Sequence, residues 1–237
     1  LFSALIGAGV IWLLSLCFQT LFPDKPAVVL AATAFVAFLP MHLAILSAVN
    51  NDGLAELIIA GALLLLLRWA GDGGQVAGGK WQVAGDDPSH LTSHVSRITP
   101  HPIPNTQYTI PLGLLLGLGF LTKATAYILL PVTLLTIAAV GGVRASQLRN
   151  AQYAIRTLLS PLLLVTLSSF LFGLPLWLRN IATYGGLDFL GLVWHDQVVV
   201  GQPTTAEWIT ANGWAAYWER AWDFTFKSFW GVFGWLG

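Results

Sequence analysis

Charged residues are scarce in this sequence. Asp, Glu, Lys and Arg together make up 9% of the 237 residues, whereas a soluble domain carries about a quarter. Hydrophobic residues make up 56%, and the mean hydropathy is +0.71. The formal net charge is zero, so nothing in the composition indicates a nucleic-acid partner. The composition predicts an integral membrane protein, which we expect in a bacterial plasma membrane in contact with membrane lipids.

Cysteine and methionine are almost absent. The one cysteine, Cys17, lies in an apolar run, which excludes an internal disulfide framework. The one methionine is Met41, and no signal peptide with a basic start is visible. Because the sequence starts at Leu1 within an apolar run, we expect it to be an internal piece of a larger multispanning protein.

The apolar runs predict an all-α fold, a polytopic transmembrane helical bundle of about six spans. Residues 109–140 are too long for one span, and Lys123 interrupts them, so they predict a hairpin of two short helices that turns near Thr122 and Lys123. Pro40 is expected to kink the second span. The other predicted spans are Leu1–Phe22, Pro26–Val49, Gly53–Trp69 and Thr157–Leu178.

These spans divide the chain into two parts. Residues 1–178 form the predicted transmembrane region, with a flexible cytoplasmic loop at 70–108. Residues 179–237 form an aromatic-rich extracytoplasmic segment that leads into a further span. Seven of the eleven basic residues fall on one side of this arrangement, which makes that side cytoplasmic. Asp52, Lys123 and the segment after Arg179 are therefore expected to face outward together.

Polar residues cluster where the third span begins. Asn51 and Asp52 open the run, and Glu56 follows one turn later. One interpretation is that Asp52 only caps the helix, since a carboxylate is favourable at a helix N-terminus. The other is a functional site, because an ionisable group such as Glu56 is costly inside a membrane. We take Asp52, Asn51 and Glu56 as candidate catalytic residues.

Two cations are expected at the same outer end. Lys123 at the hairpin turn needs an anion if it is recessed, and Asp52 is the natural partner. Arg179, followed by Asn180, closes the last predicted span, and arginine suits a bidentate grip on phosphate. Lys123, Arg179 and Asn180 are therefore candidate phosphate-binding residues. Contact of both cations with lipid headgroups is the alternative.

Eight of the eleven tryptophans lie between Trp177 and the end of the chain. Tryptophan favours the membrane interface, although one or two could line a sugar or acceptor pocket. In the same segment His195 and Asp196 form an outward pair suited to acid–base or acceptor contacts. Three glycines in an apolar helix, Gly113, Gly117 and Gly119, predict close helix packing.

Four stretches together carry a family resemblance: FLPMHLAILSAVNNDGLAELIIAGALLLL, LGLLLGLGFLTKATAYILLP, LPLWLRNIATYGG and FKSFWGVFGW. In order and spacing they resemble the GT-C superfamily of membrane glycosyltransferases. Within it they are most similar to the lipid-carrier-dependent enzymes related to protein O-mannosyltransferases and to the lipid A aminoarabinose transferase.

The resemblance implies an enzyme that transfers a sugar, with inversion, from a polyprenyl-phosphate-linked donor to a lipid, glycan or protein acceptor on the extracytoplasmic face. Asp52, with Asn51 beside it, matches a second acidic motif at the start of a later helix. Lys123 matches the LTK turn, and Arg179-Asn180 match the pair that follows a Pro-Trp span. The general base is expected in an outer loop before Leu1, so this piece alone is expected to be inactive. No cofactor is implied with certainty, and a divalent cation stays open.

Two other functions remain open. A polytopic transporter could use Asp52 and Glu56 to bind an ion or solute, with Pro40 and Pro131 marking broken helices. The absence of a matching repeat and the outward position of the polar groups count against it. A non-catalytic membrane scaffold is the third alternative.

Overall fold

The computed structural model describes residues 2–47, 51–77, 106–146, 151–201 and 203–230, and every regular element in them is helical. In chain order the helices are α1 (Phe2–Leu21), α2 (Pro26–Ala37), α3 (Pro40–Ser47), α4 (Asp52–Ala77), α5 (Thr106–Thr122), a 3-10 turn (Ala124–Ile128), α6 (Leu129–Ser146), α7 (Ala151–Tyr184), α8 (Leu192–Val198) and α9 (Thr205–Phe229). The predicted all-α fold is confirmed for these residues.

Four helical stretches in the described residues are long and apolar enough to cross a membrane: α1, the start of α4, the 3-10 turn with α6, and α7. The bent pair of α2 and α3 makes a fifth. The bend of 53° falls just before Pro40, as predicted, because proline cannot donate the backbone hydrogen bond that would continue the helix. The protein is therefore a membrane protein with four to five candidate spans.

The predicted hairpin turns where expected but is not a pair of short helices. Lys123 is extended (φ −157°, ψ 142°) and separates α5 from the 3-10 turn. The first arm, α5, has 17 residues, or about 25 Å, and is shorter than a usual span. The second arm is a 23-residue span. The prediction of two short arms is wrong for the second arm, because α6 continues past Val140, where the predicted run ends, to Ser146.

Helix boundaries differ from the predicted ones elsewhere. Helix α4, which contains the third span, continues to Ala77, and α5 begins at Thr106, so both ends of the predicted loop 70–108 are helical. Residues 78–105, the rest of that loop, lie outside the described residues. The last predicted span is also longer, because α7 runs for 34 residues and carries Arg179 inside it.

The core lies between α4, α5, α6 and α7. Leu112 and Leu116 of α5, Ile137 of α6 and Val165 of α7 are at most 1% exposed. The glycines of α5 let α7 approach closely, as predicted. A Cβ atom on Gly113 would lie 2.7 Å from the Val165 carbonyl oxygen, and one on Gly117 would lie 2.7 Å from that of Ser169. A step of four residues along α5, from Gly113 to Gly117, corresponds to a step of four residues in the same direction along α7, from Val165 to Ser169. The two helices are therefore parallel and end at the same side of the bundle.

Helix α4 runs antiparallel to α5. Gly61 faces Leu115, and Ile58 faces Gly119. The first residues of α4 therefore lie beside the last residues of α5. At the opposite end, the Arg144 guanidinium donates to the carbonyl oxygens of Trp69 (3.1 Å) and Ala70 (2.6 Å) and covers the Trp69 ring. One end of the bundle thus holds the start of α4, the hairpin turn and the last part of α7.

Candidate functional site

An ion pair joins the start of α4 to the hairpin turn. The Lys123 ammonium donates a hydrogen bond to a carboxylate oxygen of Asp52, and both side chains are partly buried. Next to it, the side-chain amide of Asn51 donates to the Thr122 carbonyl oxygen. The predicted partnership of Asp52 and Lys123 is confirmed. Because α5 ends at Thr122, the extended backbone at Lys123 directs its side chain back toward α4.

Glu56 pairs with a histidine and not with Lys123. Its carboxylate oxygen Oε2 lies 2.9 Å from Nδ1 of His42, which α3 contributes. His42 is 5% exposed, and its Nε2 atom is buried without a hydrogen-bond partner among the described residues. The sequence did not single out His42 as a site residue. The one available signal was a histidine in an otherwise apolar run, which does not identify its partner.

The Glu56–His42 pair faces an apolar cleft between α1, α2, α3 and α4. The cleft has a volume of about 250 Å³, and its other lining residues are Val10, Leu14, Val36, Leu39, Met41, Ile45, Ile59, Ala60 and Leu63. Glu56 is also near enough to Asp52 and Lys123 for their charges to act on it. Four ionisable groups therefore lie together near one end of the bundle, two in the ion pair and two below it.

Aromatic contacts fix α7 to the hairpin turn. The Trp177 indole donates to the Tyr127 hydroxyl at 2.7 Å, and its ring packs near Phe120, Tyr127 and Phe189. Since Tyr127 is one turn after Lys123 and Trp177 is two residues before Arg179, the two predicted cations are at the same end. Lys123 and Arg179 have different partners there, Asp52 and Asn180 respectively.

Arg179 and Asn180 have separate surroundings. Arg179 is exposed and its guanidinium donates to the Asn180 amide oxygen at 3.1 Å. Asn180 is 6% exposed and donates from its Nδ2 to the Phe189 carbonyl oxygen at 2.9 Å. Asn180 therefore has a role in holding the chain after α7. The helix itself does not end at Arg179, where the predicted span closes, because five further residues of α7 follow it.

His195 and Asp196 lie in α8 and contact each other. The His195 Nδ1 and an Asp196 carboxylate oxygen are 3.2 Å apart, and both side chains are more than half exposed. Within the described residues, no group of three or more His, Cys, Asp or Glu side chains is placed to hold a metal ion.

No protein-family model, no curated protein and no solved structure matches this chain. The function must therefore be argued from the geometry at this end of the bundle.

Proposed function

We propose that this chain is part of a membrane glycosyltransferase that transfers a sugar from a polyprenyl-phosphate donor to an acceptor on the extracytoplasmic face, with inversion. The observation that carries the proposal is the Asp52–Lys123 ion pair at the hairpin turn. In this proposal the bundle is GT-C-like and crosses the membrane six times, with α5 as the short crossing. The end that holds the ion pair is the extracytoplasmic one.

The reaction needs a proton acceptor and a site for a leaving phosphate. The acceptor oxygen forms a bond to C1 of the sugar while the bond from C1 to the phosphate oxygen breaks. The phosphate leaves with the bonding electrons, and the acceptor proton passes to a carboxylate. Cations fixed near the phosphate stabilise the charge that develops on it.

Lys123 is suited to the phosphate because it is cationic, partly exposed and held at the mouth of the bundle. Its pairing with Asp52 keeps the ammonium in place before a donor binds. Arg179, exposed at the same end, supplies a second cation. Asp52 orients the acceptor, the sugar or a divalent cation, while the resemblance assigns the proton acceptor to another outer loop.

The test is a turnover assay on protein made from the complete reading frame. Purified protein in lipid would be supplied with several polyprenyl-phosphate sugars, and released polyprenyl phosphate would be measured. We expect Lys123→Gln to reduce turnover about a hundredfold, because one charged donor to a developing anion is lost. Asp52→Asn should also reduce turnover.

The matched controls are Lys25→Gln and Asp24→Asn, which change the same residue types in the turn between α1 and α2 at the opposite end of the bundle. Both should keep normal turnover. Equal turnover in wild type and Lys123→Gln would remove Lys123 from the reaction. Absence of turnover with every donor and acceptor class would contradict the transferase.

A proton- or ion-coupled transporter is the second candidate, and the Glu56–His42 pair favours it. A titratable pair within a bundle is a frequent element of proton pathways. In proteoliposomes, solute-dependent proton flux that disappears in Glu56→Gln and persists in Lys123→Gln would support this function over the transferase.

A further inference from the structure

The second half of α9 carries one continuous aromatic stripe. Gly213 has φ 85° and ψ 162° and breaks α9, so residues 214–229 form a separate helical segment. Along it, aromatic residues recur at the spacing of one helix face. We define the aromatic stripe as Trp214, Trp218, Trp222, Phe226 and Phe229.

The stripe is exposed throughout. The exposed fractions of Trp214, Trp218 and Trp222 are 62%, 64% and 76%, and Phe226 and Phe229 are 57% and 42% exposed. None of the residues of α9 is buried. A contiguous exposed apolar surface of this kind marks a binding surface for a membrane or a partner.

The opposite face of the segment is charged. Arg220, Asp223 and Lys227 project about 140–200° from Trp218, at 100° per residue. Asp223 and Lys227 form an ion pair of 2.7 Å, and both are more than half exposed. The segment is thus amphipathic, with an aromatic face and a hydrated face.

The position of α9 brings it to one end of the bundle. α9 contacts α3, whose His42 reaches Glu56 near the start of α4. It has 25 residues but is not among the described helices that are apolar enough to cross a membrane. Its contact with α3 and its single aromatic face are the features expected of a helix beside the lipid headgroups.

We propose that residues 214–229 lie in the plane of the membrane surface at the end of the bundle that holds Asp52, with the aromatic stripe inserted between the lipid headgroups and the acyl chains. Tryptophan fits this layer because its ring is apolar and its N–H donates to headgroup oxygens. In-plane amphipathic helices bury such a face by about 5–10 Å. This inference is independent of the proposed transferase.

The test uses site-directed spin labels on the protein from its complete reading frame in lipid nanodiscs. The background variant is Cys17→Ala, which removes the native cysteine. One label replaces Trp218 in the stripe, and the matched label replaces Asp223 on the charged face. A third label at Leu135, an exposed leucine of the α6 span, supplies the reference for the bilayer interior.

For each label the measured quantity is its accessibility to oxygen divided by its accessibility to a water-soluble nickel chelate. We expect this ratio to be several-fold higher at position 218 than at position 223. The depth of the label at position 218 should lie between those of positions 223 and 135. A label at 218 that the nickel chelate reaches as well as it reaches 223 would place the stripe in water. One that neither reagent reaches would place it against protein. Either outcome would overturn the proposal.

Replacement of a tryptophan by a spin label can itself disturb the segment, so a second measurement uses no label and keeps an aromatic ring at every position of the stripe. Tryptophan fluorescence would be recorded in lipids brominated near the glycerol or near the chain ends. The fluorescence of the wild type minus that of the triple variant Trp214→Phe/Trp218→Phe/Trp222→Phe gives the signal of the three tryptophans of the stripe. We expect that difference to be quenched several-fold more by the shallow bromines. Equal quenching at both depths, or none, would contradict an in-plane helix.

Discussion

The bundle of α4–α7 and the segment after α7 are both helical, yet different forces hold them. In the bundle, Leu112, Ile137 and Val165 have no exposed surface, and helix backbones meet at glycine. In the outer segment, neither α8 nor α9 has a buried residue. That segment depends mainly on caps, ion pairs and ring contacts within itself, with a few contacts to α7 and α3. The comparison shows that a helix outside the bundle needs local interactions or a lipid surface in place of a core.

The largest expected effect is at the contact between α5 and α7. In Gly117→Ala the new Cβ atom would lie 2.7 Å from the Ser169 carbonyl oxygen, and backbone cannot move away as a side chain can. We expect a loss of about 3 kcal/mol in the free energy of unfolding. The measurement is the thermal midpoint of the purified protein in detergent.

The control is Gly142→Ala in α6, where a Cβ atom would meet nothing within 4 Å. That variant should be neutral or stabilise the helix by up to about 1 kcal/mol, since alanine is the better helix former. A similar midpoint shift in both variants would show that close packing of α5 on α7 is not what stabilises the bundle.

A smaller effect is expected where the bundle meets the outer segment. Trp177→Phe keeps an aromatic ring but removes the hydrogen bond of the indole to the Tyr127 hydroxyl. We expect a loss of about 1 kcal/mol in the free energy of unfolding. Tyr127→Phe should cost a similar amount, and the double variant should cost little more than either single one. Full additivity in the double variant would mean that the two groups act separately.

The Asp52–Lys123 ion pair should contribute less, because both side chains are partly exposed. In a double-mutant cycle with Asp52→Asn and Lys123→Gln, we expect a coupling of about 0.5 kcal/mol in the thermal stability. A coupling of zero would show that the pair does not hold the hairpin turn against α4. The exposed pair of Asp223 and Lys227 in α9 offers the comparison, and its coupling should be smaller.

The smallest effect is expected at the start of α9. Glu207 accepts hydrogen bonds from the Thr204 backbone N–H and hydroxyl, and these lower its pKa below the ordinary glutamate value. The cap therefore stabilises α9 fully above the ordinary pKa, and this contribution is lost as pH falls through the lowered pKa. In Thr204→Ala the Glu207 pKa should rise, as a carbon-13 NMR titration of the carboxyl would measure.

The control for this titration is Thr210→Ala. The Thr210 hydroxyl bonds to the Ala206 carbonyl oxygen and does not touch Glu207. Its loss should leave the Glu207 titration unchanged. An unchanged titration in Thr204→Ala would show that the capping box does not form in solution.

Sequence analysis predicted some of these contacts because their causes are local or pairwise. The turn at Lys123 follows from a charge within an apolar run, and the break before Pro40 follows from proline chemistry. The partnership of Asp52 with Lys123 follows from the cost of an unpaired charge near the membrane. The chemical roles of these residues, and the family resemblance, stay predictions.

The amino-acid sequence by itself determined that the chain is helical and belongs in a membrane, because length and apolarity of each run suffice for that. Only the tertiary structure decided that Glu56 pairs with His42 and that Asn180 holds the chain after α7. The first contact depends on how α3 packs on α4, and the second on how the chain folds back after α7. The tertiary structure also decided where helices end: α4 and α7 continue into polar sequence. Intrahelical hydrogen bonds do not require apolar side chains, so hydropathy marks the span and not the helix.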